Sequence, residues 1–112
     1  MAAIVALITT AVAALTAPPP QAPPPPAERK SVVSTSYCET GKMANGQRTY
    51  FGAVAMAGRI GSRWRALTGP FAGVVFTVAD RYGHGTQFDI ALPGQCTRAQ
   101  LYGRQRIVIE PA

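Results

Sequence analysis

Acidic side chains are scarce in this chain of 112 residues, which has five Asp and Glu against 11 Lys and Arg and a formal net charge of +6. A charge of this sign attracts polyanions, including nucleic acids and anionic polymers of the cell wall. The arginines are scattered, with no stripe of interleaved aromatic residues and no recognisable nucleic-acid motif, so we predict that the protein does not bind nucleic acid. With one histidine and two cysteines, the ligands of a metal site are also too few, and we expect neither a metal nor another cofactor.

Charged residues are absent from the first 27 positions. Residues 1–17 are mostly Ala, Val, Leu and Ile and are short for a membrane span, so we interpret them as the hydrophobic region of a secretory signal. The alternatives are an uncleaved anchor and a disordered tail, because a basic start and a clear cleavage site before Pro18 are missing. Residues 18–30 are rich in proline and predict an extended spacer rather than an SH3-type ligand. We therefore expect an exported protein, secreted or periplasmic and associated with the cell wall, that folds over residues 31–112.

Cys38 and Cys96 are the only cysteines. An even number of cysteines behind an export signal predicts a disulfide bond between them. A second interpretation pairs Cys38 with His84 as in a cysteine peptidase, but it leaves Cys96 as a free thiol and is therefore less favoured.

Short strand-like runs separated by glycine-rich turns occupy most of the remaining chain. Asn45-Gly46 is typical of a hairpin turn, and Thr97 is expected to cap a helical turn over residues 98–102. Strands this short favour an all-β fold, a small six-stranded closed barrel with one short helix, because closure removes exposed edges. The six runs are residues 31–38, 52–57, 63–67, 74–79, 87–92 and 106–109.

Two of the five acidic residues, Asp80 and Asp89, stand on either side of a glycine-rich turn, each at the boundary of an apolar run. In so basic a chain they are the first candidates for acid/base chemistry on an uncharged polymer such as a glycan. Burial beside Phe88 and Ile90, or the charge of Asp80, would raise the pKa of Asp89 so that it donates a proton near neutral pH. The structural alternative for Asp89 is that it caps a turn or accepts hydrogen bonds from backbone amides inside the barrel. The alternative for Asp80 is an ion pair with Arg81 or a neighbouring arginine, or a turn position that caps Gly83.

Four segments of the chain together point to a known family. They are TSYCETG at residues 35–41, ANGQ at 44–47, VAD at 78–80 with FDI at 88–90, and CTRAQLYGR at 96–104. In order and spacing they resemble the three-aspartate domain, a double-psi β-barrel related to rare lipoprotein A, to expansins and to the catalytic barrel of a membrane-bound lytic transglycosylase. The resemblance covers most of residues 33–110. Ala57 departs from it, because the family has a third aspartate there, and Tyr102 stands where tryptophan is common.

The resemblance implies a double-psi β-barrel and an activity on peptidoglycan. Asp89 matches the general acid/base of the lytic transglycosylase barrel, and Asp80 would support it as a second catalytic carboxyl. Such an enzyme needs no water nucleophile, because the muramoyl 6-hydroxyl attacks internally and one carboxyl group serves as acid and then as base. We therefore expect a monomer that cleaves peptidoglycan in the manner of a lytic transglycosylase. The alternative is a non-catalytic, expansin-like module that binds peptidoglycan or another wall polysaccharide.

Five further residues are candidates for substrate binding. Thr35 matches a threonine at the mouth of the expansin groove, and Glu39 lies where related endoglucanases carry an acid after a T-x-Y motif. Tyr37 and Tyr82 are able to stack on sugar rings, and His84 in a Gly-His-Gly turn is able to contact substrate or carry a proton. The simpler interpretations are a solvated Glu39 and an incidental His84. Trp64 is expected to pack in the core, on the face of its strand opposite to the two neighbouring arginines.

Overall fold

Strands form at each of the six apolar runs. The computed structural model describes residues 28–81 and 85–112, and in this part of the chain the six strands close into a barrel accompanied by one helix, as predicted. Observed boundaries differ from the predicted ones by at most two residues. The elements are β1 Lys30–Tyr37, β2 Ala53–Ala55, β3 Arg63–Ala66, β4 Val75–Asp80, β5 Phe88–Ala91, α1 Cys96–Tyr102 and β6 Gln105–Pro111.

Strands that are neighbours in the barrel are mostly distant in the chain. The order around the barrel is β1-β5-β2-β4-β3-β6, with β6 returning to β1. β1 pairs with β5 and β2 with β4 in parallel, while the other neighbouring pairs are antiparallel. Neither parallel pair is joined directly, because other strands lie between its two members in the chain. Every strand has two neighbours, and no edge is left unpaired.

The barrel interior is filled by alternate side chains of the central strands. Val54, Val78, Phe88 and Ile90 are fully buried there, and the ring of Phe76 meets that of Phe88 edge to face at 5.6 Å between centroids. Period-two burial is the normal pattern for a sheet with one face on a core. The residues that alternate with these buried ones along each strand, including those of the candidate site, therefore lie on the outer surface of the barrel.

A second, smaller apolar cluster lies on that outer surface. Its fully buried members are alanines. They are covered by residues 41–49, here called the covering segment, which contributes Met43, with Tyr37 and Tyr50 packed beside it. Alanine side chains let the covering segment approach the strands closely. The alanines are Ala53, Ala79 and Ala91.

The covering segment turns at Asn45-Gly46, the predicted hairpin turn. The amide of Met43 donates to the carbonyl of Gln47 at 2.8 Å, and Gly46 has φ of 88°, a conformation that favours glycine. The amide of Asn45 donates to the carbonyl of Ala79 at 3.0 Å and attaches the turn to β4.

The predicted disulfide bond between Cys38 and Cys96 is present and joins the end of β1 to the start of α1. The helix also docks through the Tyr102 hydroxyl, which lies 2.8 Å from the buried hydroxyl of Ser34. Within the described residues, no helix is long and apolar enough to cross a membrane.

Two local predictions were wrong. Thr97 does not cap the helix, which begins at Cys96 with Gln95 at its N-cap and no side-chain hydrogen bond there. The last strand does not stop before proline but includes Pro111, because the ladder with β3 continues through the Ala112 amide, which donates to the carbonyl of Arg63 at 3.0 Å. Proline is tolerated at position 111 because the pairing of β6 with β3 requires no N–H donor there. The signal and spacer predicted for residues 1–30 fall almost wholly in residues 1–27, outside the described residues.

Candidate functional site

The candidate site is a row of paired residues across four neighbouring strands. Thr35 of β1 lies opposite Asp89 of β5, and Asp89 lies opposite Ala55 of β2. Ala55 in turn pairs with Asp80 of β4, because a register shift between Val54 and Ala55 moves the pairing by one residue. Directly paired residues present their side chains on the same face of a sheet. The register therefore brings both predicted aspartates to one outer wall, with only the methyl group of Ala55 between them.

Asp89 is the half-buried centre of this row. The hydroxyl of Thr35 donates to Asp89 Oδ1 at 2.8 Å and lies 2.7 Å from the hydroxyl of Thr86. Since Thr35 has one hydroxyl proton, Thr86 donates to Thr35 when Thr35 donates to the carboxylate. Burial is the largest influence and raises the pKa of Asp89, while the Thr35 hydrogen bond lowers it and the charges of Glu39 and Asp80 raise it again. The net effect is a carboxyl group that holds its proton to higher pH than an ordinary aspartate.

Tyr37 lies where the fields of three carboxylates meet. Burial, followed by the charges of Asp80, Asp89 and Glu39, raises the pKa of Tyr37 to about 12. The phenol is therefore neutral at physiological pH. Its hydroxyl faces Met43 Sδ at 3.9 Å, a weak contact. Thr35, Tyr37, Asp80 and Asp89 thus gather as predicted, with Glu39 exposed at the border of the group.

Asp80 is held by the backbone. Its Oδ1 accepts from the amide of Ala44 at 3.0 Å and from the amide of Arg81 at 2.9 Å. The predicted alternative of an ion pair with Arg81 does not form, because the Arg81 guanidinium donates to the carbonyl of Gly58 at 3.0 Å. Asp80 therefore attaches the covering segment to the end of β4, besides contributing its charge to the field around Asp89.

Two predicted site residues, Tyr82 and His84, lie outside the described residues. Sequence reasoning missed Thr86, whose side chain is buried and completes the hydroxyl chain to Asp89. Its only signal was its position just before the strand that carries Asp89. Ala57, which departs from the resemblance noted in the sequence, is exposed just beyond the end of β2.

The carboxylates of the row have no cationic partner among residues 28–81 and 85–112, where every salt bridge involves Glu110. In the same part of the chain, no three His, Cys, Asp or Glu side chains come close enough to hold a metal ion. The site is thus locally negative in a chain of net charge +6. This field disfavours an anionic group beside Asp89 and favours an uncharged one.

The arrangement is suited to proton transfer. Asp89 combines a raised pKa with a hydroxyl donor that stabilises its ionised form, so it is able both to give a proton and to take one back.

Comparison of the chain with family models, with curated proteins and with solved structures finds no match.

Proposed function

We propose that this chain is an exported double-psi β-barrel that cleaves the glycan strands of peptidoglycan, with Asp89 as general acid and then general base. The observation that carries the proposal is the half-buried Asp89 carboxyl, whose pKa is raised and which accepts a hydrogen bond from Thr35. The parallel pairs β1–β5 and β2–β4 and the Cys38–Cys96 bridge support the assignment to the three-aspartate family.

In the proposed reaction, protonated Asp89 donates to the glycosidic oxygen as the bond from that oxygen to the muramoyl anomeric carbon breaks. The muramoyl 6-hydroxyl then bonds to the same carbon and closes an anhydro ring. Its proton passes to the Asp89 carboxylate, which restores the starting state without consuming water. Each step needs a carboxyl group that holds its proton to higher pH than an ordinary aspartate, and burial raises the pKa of Asp89 in that direction.

The neighbouring residues assist this carboxyl group. The Thr35 hydroxyl stabilises the carboxylate after proton donation and, with Thr86, fixes its orientation. The charges of Asp80 and Glu39 keep the pKa of Asp89 raised. Tyr37 offers a neutral phenol for sugar contact, and Tyr82 and His84 are further candidates for that role.

A second candidate function is a non-catalytic module that holds wall polysaccharide. The observation that favours it is the use of Asp80 as an acceptor for two backbone amides, together with alanine at position 57. Only Asp89 of the three family positions then remains as a carboxyl group without a backbone role. This candidate predicts retention on insoluble peptidoglycan that weakens with salt, and no new chain ends.

Mass spectrometry of the soluble products released from purified peptidoglycan by the full oxidised chain separates the two candidates. The variants are Asp89→Asn and, as a matched loss of one carboxylate away from the site, the exposed Glu28→Gln. Anhydro-muropeptides from the wild type and Glu28→Gln, with none from Asp89→Asn, support the enzyme. Equal product from all three proteins excludes Asp89 as the acid, and absence of product from the wild type with salt-sensitive binding supports the module. Thermal unfolding of each variant verifies that it is folded.

A further inference from the structure

A second open site lies away from the Asp89 row, where β3 begins and β6 ends. It is a cavity of about 350 Å³. In the order of the barrel, β3 is separated from β5 by two strands on either side, and no residue of the Asp89 row contributes to the cavity. Its lining is Arg59, Gly61, Ser62, Arg63, Trp64, Pro111 and Ala112.

The two arginines of this cavity are without anionic partners in the described part of the chain. All salt bridges there join Glu110 to Arg29 or Arg65, so neither a side-chain carboxylate nor the Ala112 carboxyl group lies within 4 Å of Arg59 or Arg63. Between described residues, the guanidinium groups that donate hydrogen bonds belong to Arg65, Arg81, Arg98 and Arg106. Arg59 and Arg63 therefore present two planar sets of donors on the cavity wall, an arrangement that suits a carboxylate or a phosphate.

Trp64 adds an aromatic surface to the same cavity. It is the only tryptophan of the chain, and the ammonium of Lys30 lies 4.8 Å from its ring centroid. A core position was predicted, but Trp64 is only partly buried against the core and lines this cavity beside Arg63. No buried polar side-chain atom of the described residues lacks a hydrogen bond, and Trp64 makes none there, so its indole N–H is accessible to solvent. The indole offers an apolar face with a polar edge, while the two arginines are able to pair with a carboxylate or a phosphate.

We propose that this cavity binds one anionic sugar unit, with Arg59 and Arg63 pairing with its acidic group and Trp64 contacting its ring. The volume is at the small end of the range for ligand sites, which suits a single substituted ring. Binders of single-stranded nucleic acid stack successive bases on several aromatic residues along a basic groove, whereas this cavity has one aromatic residue. The acidic group is a carboxylate, as in a hexuronate, or a phosphate.

The inference does not rest on glycan cleavage, because it uses no residue of the Asp89 row. The two sites then have opposite preferences. The site beside Asp80, Asp89 and Glu39 favours an uncharged group, and the two arginines favour an anionic sugar. A protein with both sites would attach to an anionic wall polymer through one surface and leave the other free for peptidoglycan.

Trp64 makes the test direct, because the fluorescence of the only tryptophan reports on the cavity alone. The full oxidised chain is titrated with trigalacturonate, with its uncharged methyl ester, with glucose 6-phosphate, with glucose and with an oligothymidylate. We expect a saturable change with trigalacturonate or glucose 6-phosphate, which identifies carboxylate or phosphate as the acidic group. We expect none with the matched neutral sugars.

Arg59→Gln and Arg63→Gln should each weaken this binding about fivefold or more, as expected for loss of one charge-assisted contact at a partly exposed site. Arg48→Gln is the matched control, since it removes the same charge from an exposed arginine in the covering segment. Asp89→Asn should bind as the wild type does. The proposal is overturned if no anionic sugar gives saturation, if the methyl ester binds equally, if Arg48→Gln weakens binding as much as Arg63→Gln, or if oligothymidylate binds more tightly than either acidic sugar.

Discussion

The disulfide bond between Cys38 and Cys96 should supply a large share of the stability of this domain. The bridge closes a loop with a sequence separation of 58 residues. In the chain-entropy model, a loop of this length restricts the unfolded chain by about 4 kcal/mol at room temperature. Small domains are stable by about 5–15 kcal/mol in total, so the double variant Cys38→Ser, Cys96→Ser should retain the fold with a much smaller margin.

The assay is urea unfolding of the oxidised wild type, of the wild type in reductant and of the double variant, followed by far-ultraviolet circular dichroism. We expect the last two to agree and to be less stable than the oxidised protein by about 4 kcal/mol. Reductant added to the double variant is the control and should change nothing. Serine is tolerated at both positions, because Cys38 is only half-buried and Cys96 is exposed.

A loss below about 1 kcal/mol would refute the reasoning, because it would mean that the unfolded chain is already restricted without the bridge. Loss of α1 from the folded state of the double variant would also refute it. In that case the bridge would act on the native helix, and the hydrogen bonds of Ser34 with Tyr102 and of Ser36 with the Ala99 carbonyl would be too weak to dock α1 without it.

Three further predictions concern single side chains. The pKa of Asp89 is raised above its ordinary value of 3.8, so the stability that this group contributes is present below pH 3.8 and is lost as pH rises through the folded-state pKa. Between pH 4 and 7, the urea midpoint of the wild type should therefore fall relative to that of Asp89→Asn. Parallel curves for the two proteins would contradict this. Thr35→Val removes the hydrogen bond that lowers the pKa of Asp89, so carbon NMR of that carboxyl group should show titration at higher pH, and an unchanged titration would mean that the bond is absent in solution. Tyr102→Phe should cost about 0.5–1.5 kcal/mol of unfolding free energy, because Ser34 keeps its bond to the Phe88 carbonyl, whereas a loss above about 3 kcal/mol would indicate that Ser34 is left unpaired.

The elements with a strong local signal were predictable from the sequence. The six strands and the turn at Gly46 follow from β-branched and apolar runs and from turn residues, which act over a few positions. The start of α1 was not predictable in this way. The amide of Gln95 donates to the carbonyl of Leu92 in a turn, and Cys96 is held by the disulfide bond. The disulfide bond at Cys96 outweighs the capping preference of Thr97, and Thr97 lies inside the helix.

The sequence singled out four of the residues that the fold brings together, but not their geometry. Asp89 and Asp80 were candidates because acids are scarce, Thr35 because of the family resemblance, and Tyr37 because an aromatic ring is able to stack on a sugar. Residue types alone could not assign Asp80 to two backbone amides, since one of them belongs to Ala44, a residue distant in the chain.

The sequence by itself determined the class of fold, the disulfide partners and the identity of the carboxyl groups, because these depend on composition and on patterns within short segments. Only the tertiary structure decided how those groups act. Closure of the barrel sets the register that pairs Thr35 with Asp89, and the shift at Ala55 brings Asp80 into the same row. Burial in that row raises the pKa of Asp89, and burial belongs to the packed chain, because a linear sequence excludes no water.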